Sequence, residues 1–170
     1  MKSKTINLLL IAFAVIVAVY GTATWMSNKE PSENLAGLGL SNLQNIDRIE
    51  FIRSPKTVSF IKRGKQWYLN NNNVNNEFGD FLKKLRGIKV KQVVSRNSSN
   101  YASFGVDEKT GKQIKLYSEN KLIKQVVFGN SSEFLGMYAR FPSDKNVYEI
   151  SEDFSFELSK EPKDWIKSSK

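Results

Sequence analysis

Eight residues, Gly105 to Lys112 (GVDEKTGK), hold the glycines and lysine from which a phosphate-binding loop is made. Such a loop needs four residues between its glycines and a Ser or Thr after its lysine, so that backbone N–H groups cradle phosphate and a hydroxyl holds magnesium. Here five residues separate the glycines and Gln113 follows the lysine. A turn leading into a strand is therefore expected. The neighbouring carboxylates Asp107/Glu108 and Glu152/Asp153 are of the type used in acid–base catalysis or calcium binding. No Asp-x-Asp-x-Asp-Gly spacing surrounds them, and solvated turns and a helix N-terminus account for both pairs.

The largest charge feature is Lys83, Lys84, Arg86, Lys89, Lys91 and Arg96, six cations with no acid between them. This run is the candidate interaction patch, suited to anionic lipid headgroups, an acidic envelope polymer or an acidic protein partner. The alternative is local: cations gather at a helix C-terminus for dipole reasons and along an edge strand to discourage aggregation. The 170 residues include no cysteine and no histidine. Disulfides, thiolate metal sites, Ser-His-Asp and Cys-His constellations are thereby excluded, and so is a lipoprotein anchor. What remains for catalysis is Ser, Thr, Lys, Tyr and carboxylates, with no S-x-x-K motif among them. No cofactor is expected.

Around these residues the hydrophobic pattern sets out the elements. Ile46–Arg53 and Thr57–Lys62 flank the turn Ser54-Pro55-Lys56, and Arg63-Gly64-Lys65 turns into the strand QWYLN. Val74, Phe78, Phe81, Leu82, Leu85 and Ile88 then recur on one face of a helix capped by Asn72 or Asn73 and ended near Gly87. The asparagine tract before it is expected to be loop and cap. A short strand, Val90–Ser95, and a polar loop follow. Gln113–Glu119 and Leu122–Gly129 form a hairpin about Asn120-Lys121, Phe134–Phe141 and Asn146–Ser151 form another, and Glu152–Lys160 is helix-like. KQWYL…FGDFLKKL and KNVYEI…FSFELSK share a grammar that points to an internal ββα duplication, with coincidence as the alternative. The expected fold class is α+β, antiparallel β-meanders each followed by a helix, with Trp67, Tyr68, Phe78, Phe81, Tyr148, Phe154 and Leu158 in the core.

The first segment bears on compartment. Ile6–Trp25 is uncharged and mainly aliphatic, and 20 helical residues span a hydrocarbon core of roughly 30 Å. Lys2 and Lys4 precede it, while Lys29, Glu30 and Glu33 roughly cancel after it. The positive-inside rule then places residues 1–5 in the cytoplasm, a single-pass anchor at 6–25, a tether at 26–44 and an extracytoplasmic domain at 45–170. A cleaved signal peptide with its core at Ile6–Val19 is the competing reading. Either exports the domain, which makes nucleic acid a poor partner. With Lys2 and Lys4 set aside, 24 basic and 17 acidic residues remain of the 26 and 17 in the chain.

YASFGVDEKTGKQIKLY, then VVFGNSSEFLGMYAR…NVYEI and the closing EPKDWI, together with the earlier IDRIEF…KRGKQWYL…FGDFLKKL, resemble the bacterial family called domain of unknown function 4340. The likeness lies in the order of an aromatic-Gly-Leu turn, here with Val106 for the Leu, an apolar-Gly step, a Gly-aromatic-apolar-Arg strand and a terminal Asp-aromatic element. It runs from about Leu40 to Ile166. The resemblance implies an N-terminally anchored envelope protein, some relatives being encoded beside ABC-transporter components, and it assigns no catalytic residue. The expected function is a non-enzymatic, membrane-anchored accessory or interaction module of the envelope. The alternative is an envelope hydrolase or transferase working with Ser/Lys or carboxylates.

Overall fold

The computed structural model describes residues 43–133 and 136–167. The apolar run Ile6–Trp25 and the tether as far as residue 42 lie outside the described residues. Among the described residues no helix is long and apolar enough to cross a membrane.

Among the described residues nine strands follow one another: β1 (Arg48–Arg53), β2 (Lys56–Arg63), β3 (Gln66–Leu69), β4 (Asn72–Asn73), β5 (Val90–Ser95), β6 (Lys112–Ser118), β7 (Lys121–Ser131), β8 (Met137–Arg140) and β9 (Val147–Ile150). One α-helix, α1 (Asn76–Arg86), stands between β4 and β5. The strands form a single antiparallel sheet in the order β4-β3-β2-β1-β6-β7-β8-β9-β5. Period-two alternation sends Ile49 and Phe51 of β1, Phe60 of β2, Ile114 and Leu116 of β6 and Val126 and Phe128 of β7 to one face, where all are buried. The amphipathic helix covers that face with Phe78, Phe81, Leu82 and Leu85. Trp165, near the C-terminus, fills the space between them. On the opposite face the β5–β6 connection lies over the β7–β9 half, burying Val106 with Val127 and Val147 and packing Phe104 edge-on against Tyr138 at 4.8 Å.

This corrects the expected α+β class. Among the described residues the fold is mostly β, one continuous sheet with one helix, because β1 pairs with β6 and joins the two meanders edge to edge. Among the described residues no second α-helix follows β9. Phe154 and Leu158 are buried four residues apart, which mimics helical spacing, but Asp153 accepts the Ser155 N–H at 2.7 Å and holds the backbone in a turn. Only a short 3-10 turn forms, Glu157–Ser159, before Pro162 opens another. The duplication fails with it, since β3 is the third strand of its meander and β9 the fourth of its own.

The asparagine tract is scaffold, with a different division of labour. Asn70 and Asn71 both adopt positive φ (50° and 67°) in the tight β3–β4 turn, a conformation asparagine tolerates better than most residues. Asn72 and Asn73 belong to β4, and the helix N-cap is Asn75. Similarly, the β6–β7 turn is made by Glu119 and Asn120, both at positive φ, one residue earlier than expected. Of the anticipated core, Phe78, Phe81, Tyr148, Phe154 and Leu158 are buried. Trp67 and Tyr68 are only half-buried. The Trp67 ring leans on Phe78 at 5.4 Å at the rim of the core, and Tyr68 faces away beneath the Arg63 guanidinium.

Candidate functional site

The six cations do not form one surface. Lys84 reaches across the core rim to Glu157 at 2.8 Å and to the Asp153 carbonyl, its Nζ over the Phe154 ring. It fastens the C-terminal segment to α1. Lys83 pairs with Asp80 one turn away, and Lys91 pairs with the buried Glu149 at 3.5 Å. Among the described residues no carboxylate lies within ion-pair distance of Arg86, Lys89 or Arg96, all exposed. Lys89 and Arg96 flank the six residues of β5, which at about 3.3 Å per residue sets them roughly 20 Å apart. β5 is an edge strand, and its pairing with β9 is interrupted by two irregularities. Cations and bulges on an exposed edge are the features that discourage strand addition.

The acidic pairs resolve into turn chemistry. Asp107 accepts hydrogen bonds from the Lys109 N–H (2.8 Å), the Thr110 N–H (3.1 Å) and the Thr110 hydroxyl. Its carboxyl is held below the ordinary carboxylate range by the Thr110 hydroxyl first and the Lys109 N–H second. GVDEKTGK is thus a turn closed on its own aspartate. For Asp153, burial pushes the pKa up, but hydrogen bonds from Ser131 and Ser155 and the charge of Lys84 outweigh it, and the net shift is downward. Burial is also the leading cause of the raised pKa of Tyr148, followed by the hydrogen bond its hydroxyl donates to Asp144. Among the described residues no cluster of three or more carboxylates is placed to hold a metal ion.

One constellation escaped the reading of the sequence. Glu149, in the middle of β9, is 3% exposed. It accepts from the Gln92 amide at 2.8 Å and from the Ser132 hydroxyl at 2.9 Å, and it pairs with Lys91. A serine, a lysine and a carboxylate therefore share one site, yet the carboxylate stands between the other two. The Ser132 oxygen in turn accepts the Gly136 N–H at 3.2 Å. Chemically this is a clasp joining β5, β9 and the β7–β8 turn. The only sequence signal was an acid at an interior position of the apolar strand VYEI.

Glu149 has its pKa lowered from the ordinary 4.5, by the Gln92 hydrogen bond first, with Ser132 and Lys91 adding to it against the effect of burial. A carboxyl depressed by folding adds stability that is fully present above the unfolded-state pKa and is lost as pH falls through the folded-state value. Glu149→Gln should therefore destabilise the domain at neutral pH and flatten its loss of stability below about pH 4.5. Urea midpoints of parent and variant, compared at pH 7 and about pH 3, should differ more at the higher pH. Equal differences would show that the charge of Glu149 does not matter.

One groove, about 510 Å³, opens between β3 and the start of α1, where Trp67, Val74, Phe78 and Leu82 form its floor and Lys65, Asp80, Lys83 and Lys167 its rim. A second groove, about 390 Å³, is lined by Leu122, Ile123, Lys124, Gln125, Pro142 and Ser143.

Geometry and chemistry together define an antiparallel-sheet module whose interior ionisable groups serve as internal clasps. The family model for a domain of unknown function, DUF4340, matches residues 67–169, and the chain belongs to that family. The match begins in β3 and omits β1 and β2. No curated protein and no solved structure matched the chain.

Proposed function

We propose that the protein is a non-enzymatic interaction module, held by residues 6–25 in the cytoplasmic membrane with its sheet domain outside, where it acts as an accessory to a membrane complex. One observation carries this reading: where a serine, a lysine and a carboxylate do come together, at Ser132–Glu149–Lys91, the carboxylate stands between the other two and ties strands together, and Lys84 likewise ties α1 to Glu157. The resemblance described above supplies the class of partner, a complex of ABC-transporter type. Tethering raises the effective concentration of a domain near a co-resident partner, so a weak contact suffices.

The contact is assigned to Arg86, Lys89 and Arg96, the members of the basic run not held in ion pairs. Crosslinking of the full chain in native membranes, followed by mass spectrometry, should recover one recurrent membrane-protein partner. The triple variant Arg86→Glu, Lys89→Glu, Arg96→Glu should capture less of it while keeping its fold, since exposed positions change stability by about 0.5 kcal/mol or less each and an acid in place of Arg86 at the helix C-terminus costs about 1 kcal/mol at most. The loss should deepen at low salt, where screening beyond about 8 to 10 Å is relaxed. Recovery of the chain in the alkaline-wash supernatant would overturn anchoring, and unchanged capture across a salt series would overturn the role of these three cations.

A further inference from the structure

The chain enters the sheet at one end. Leu43 and Ile46 are buried there, the Asp47 N–H donates to the Tyr117 carbonyl at 3.0 Å, and the Asp47 carboxylate accepts the Glu119 N–H at 2.7 Å. The Lys62 Nζ bonds the Gln44 carbonyl. Antiparallel register brings three connections to this same end: the β2–β3 turn, the β6–β7 turn and the β8–β9 loop. These connections and the strand ends beside them carry Lys62, Arg63, Lys65, Lys121, Lys124 and Lys145 along with the acids Asp47, Glu119 and Asp144, while Arg48 at the same end is paired with Glu50. Two of the acids are engaged locally, Asp47 as above and Asp144 with Tyr148 and Asn146.

Four large hydrophobic residues are substantially exposed among the described residues, and two of them are adjacent at this end: Leu122 (50%) and Ile123 (55%), on β7 just past the turn. They line a groove with Pro142 of the β8–β9 loop and are flanked by Lys121 and Lys124. Exposed apolar side chains ringed by lysine are the composition that seats in a headgroup layer, the apolar atoms entering the acyl boundary and the cations meeting lipid phosphates. The rest of the chain points to the same occupant. Seventeen residues, 26–42, separate the uncharged run Ile6–Trp25 from Leu43, and no chain of that length reaches further than about 55 to 60 Å. The entry end is thus where that tether joins the sheet, and a surface holding residues 6–25 lies within its reach.

We infer that the β6–β7 hairpin tip is a membrane-contact site, in which Leu122 and Ile123 seat in an anionic lipid surface steered by Lys121, Lys124 and Lys145. This inference rests on the anchored reading proposed above and adds a second, independent contact with the same membrane.

The absence of cysteine makes the test direct, because one introduced thiol labels uniquely. The full chain carrying Ile123→Cys or, as a control at the far end of the sheet, Lys109→Cys is reconstituted into vesicles and labelled with a polarity-sensitive fluorophore. In vesicles with one quarter phosphatidylglycerol the Ile123 label should emit to the blue of the Lys109 label. The shift should shrink in pure phosphatidylcholine, in high salt, and on adding Lys121→Glu with Lys145→Glu, each cation being worth roughly fivefold in the bound-to-free ratio of the tip. Identical emission from the two labels, or a shift indifferent to lipid charge, overturns the contact even though the chain stays anchored. A shift seen in native membranes but not in pure lipid overturns it in favour of a protein partner. Release of the labelled chain from every vesicle by alkaline wash fails the anchored reading itself, a different result from all of these.

Discussion

Replacing Trp165 with alanine should remove a large share of the domain's stability. The indole is 1% exposed, and its centroid lies 5.8 Å from Phe51, 5.7 Å from Phe60, 5.8 Å from Phe78 and 5.9 Å from Phe81, edge-on in each case. One ring thus bridges β1, β2 and α1. Truncating a buried aromatic of this size costs about 3 to 5 kcal/mol, counting lost transfer energy and the cavity left behind. The same segment adds backbone ties, since the Asn75 N–H donates to the Trp165 carbonyl at 2.9 Å and Ile166 bridges Val74. A domain of this size has about 5 to 15 kcal/mol in total, so a midpoint lowered by roughly 10 to 20 °C is expected. Thermal melts followed by near-ultraviolet circular dichroism would show it. A variant melting within a degree or two of the parent would mean that the C-terminal segment is not part of the core.

Gly129→Ala should act on the other face of the sheet. A Cβ at Gly129 would stand 2.1 Å from the Phe104 carbonyl oxygen and 2.7 Å from the Val106 Cγ1. The first of these is backbone, so the β5–β6 connection must lift away, losing the bond from the Asn130 N–H to the Phe104 carbonyl (2.9 Å) and uncovering Val106, Val127 and Val147. Overpacking of this kind costs about 1 to 3 kcal/mol, more when backbone cannot yield. Amides of residues 101–111 should exchange faster in the variant, while those of α1 keep their protection. Gly79→Ala is the matched control: nothing lies within 4 Å of its would-be Cβ, and in an exposed helical position alanine should stabilise by roughly 0.8 to 1 kcal/mol. Equal effects from the two substitutions would remove the clash as the explanation.

The sequence by itself determined the parts whose physics is local. Alternation in IEFIR and VSFIK, the break at Ser54-Pro55, the helical spacing from Phe78 to Leu85 and the family-like order of motifs from Trp67 onward all depend on neighbours a few residues apart, and each is found where it was expected. The lack of histidine and cysteine likewise fixed which chemistries the chain could not perform. Tertiary structure decided what depends on residues far apart. The β1–β6 pairing turned two meanders into one sheet, and neither strand alone signals which edge it will find. Phe154 and Leu158 carry helical spacing but meet a core already covered by α1, while Asp153 takes the N–H a helix would need. Six lysines and arginines look alike in a row. Only the fold distinguishes Lys84 clasping Glu157 and Lys91 clasping Glu149 from Arg86 and Lys89 in solvent, because the partner that decides a cation's role lies 73 or 58 residues away along the chain and 2.8 or 3.5 Å away in space.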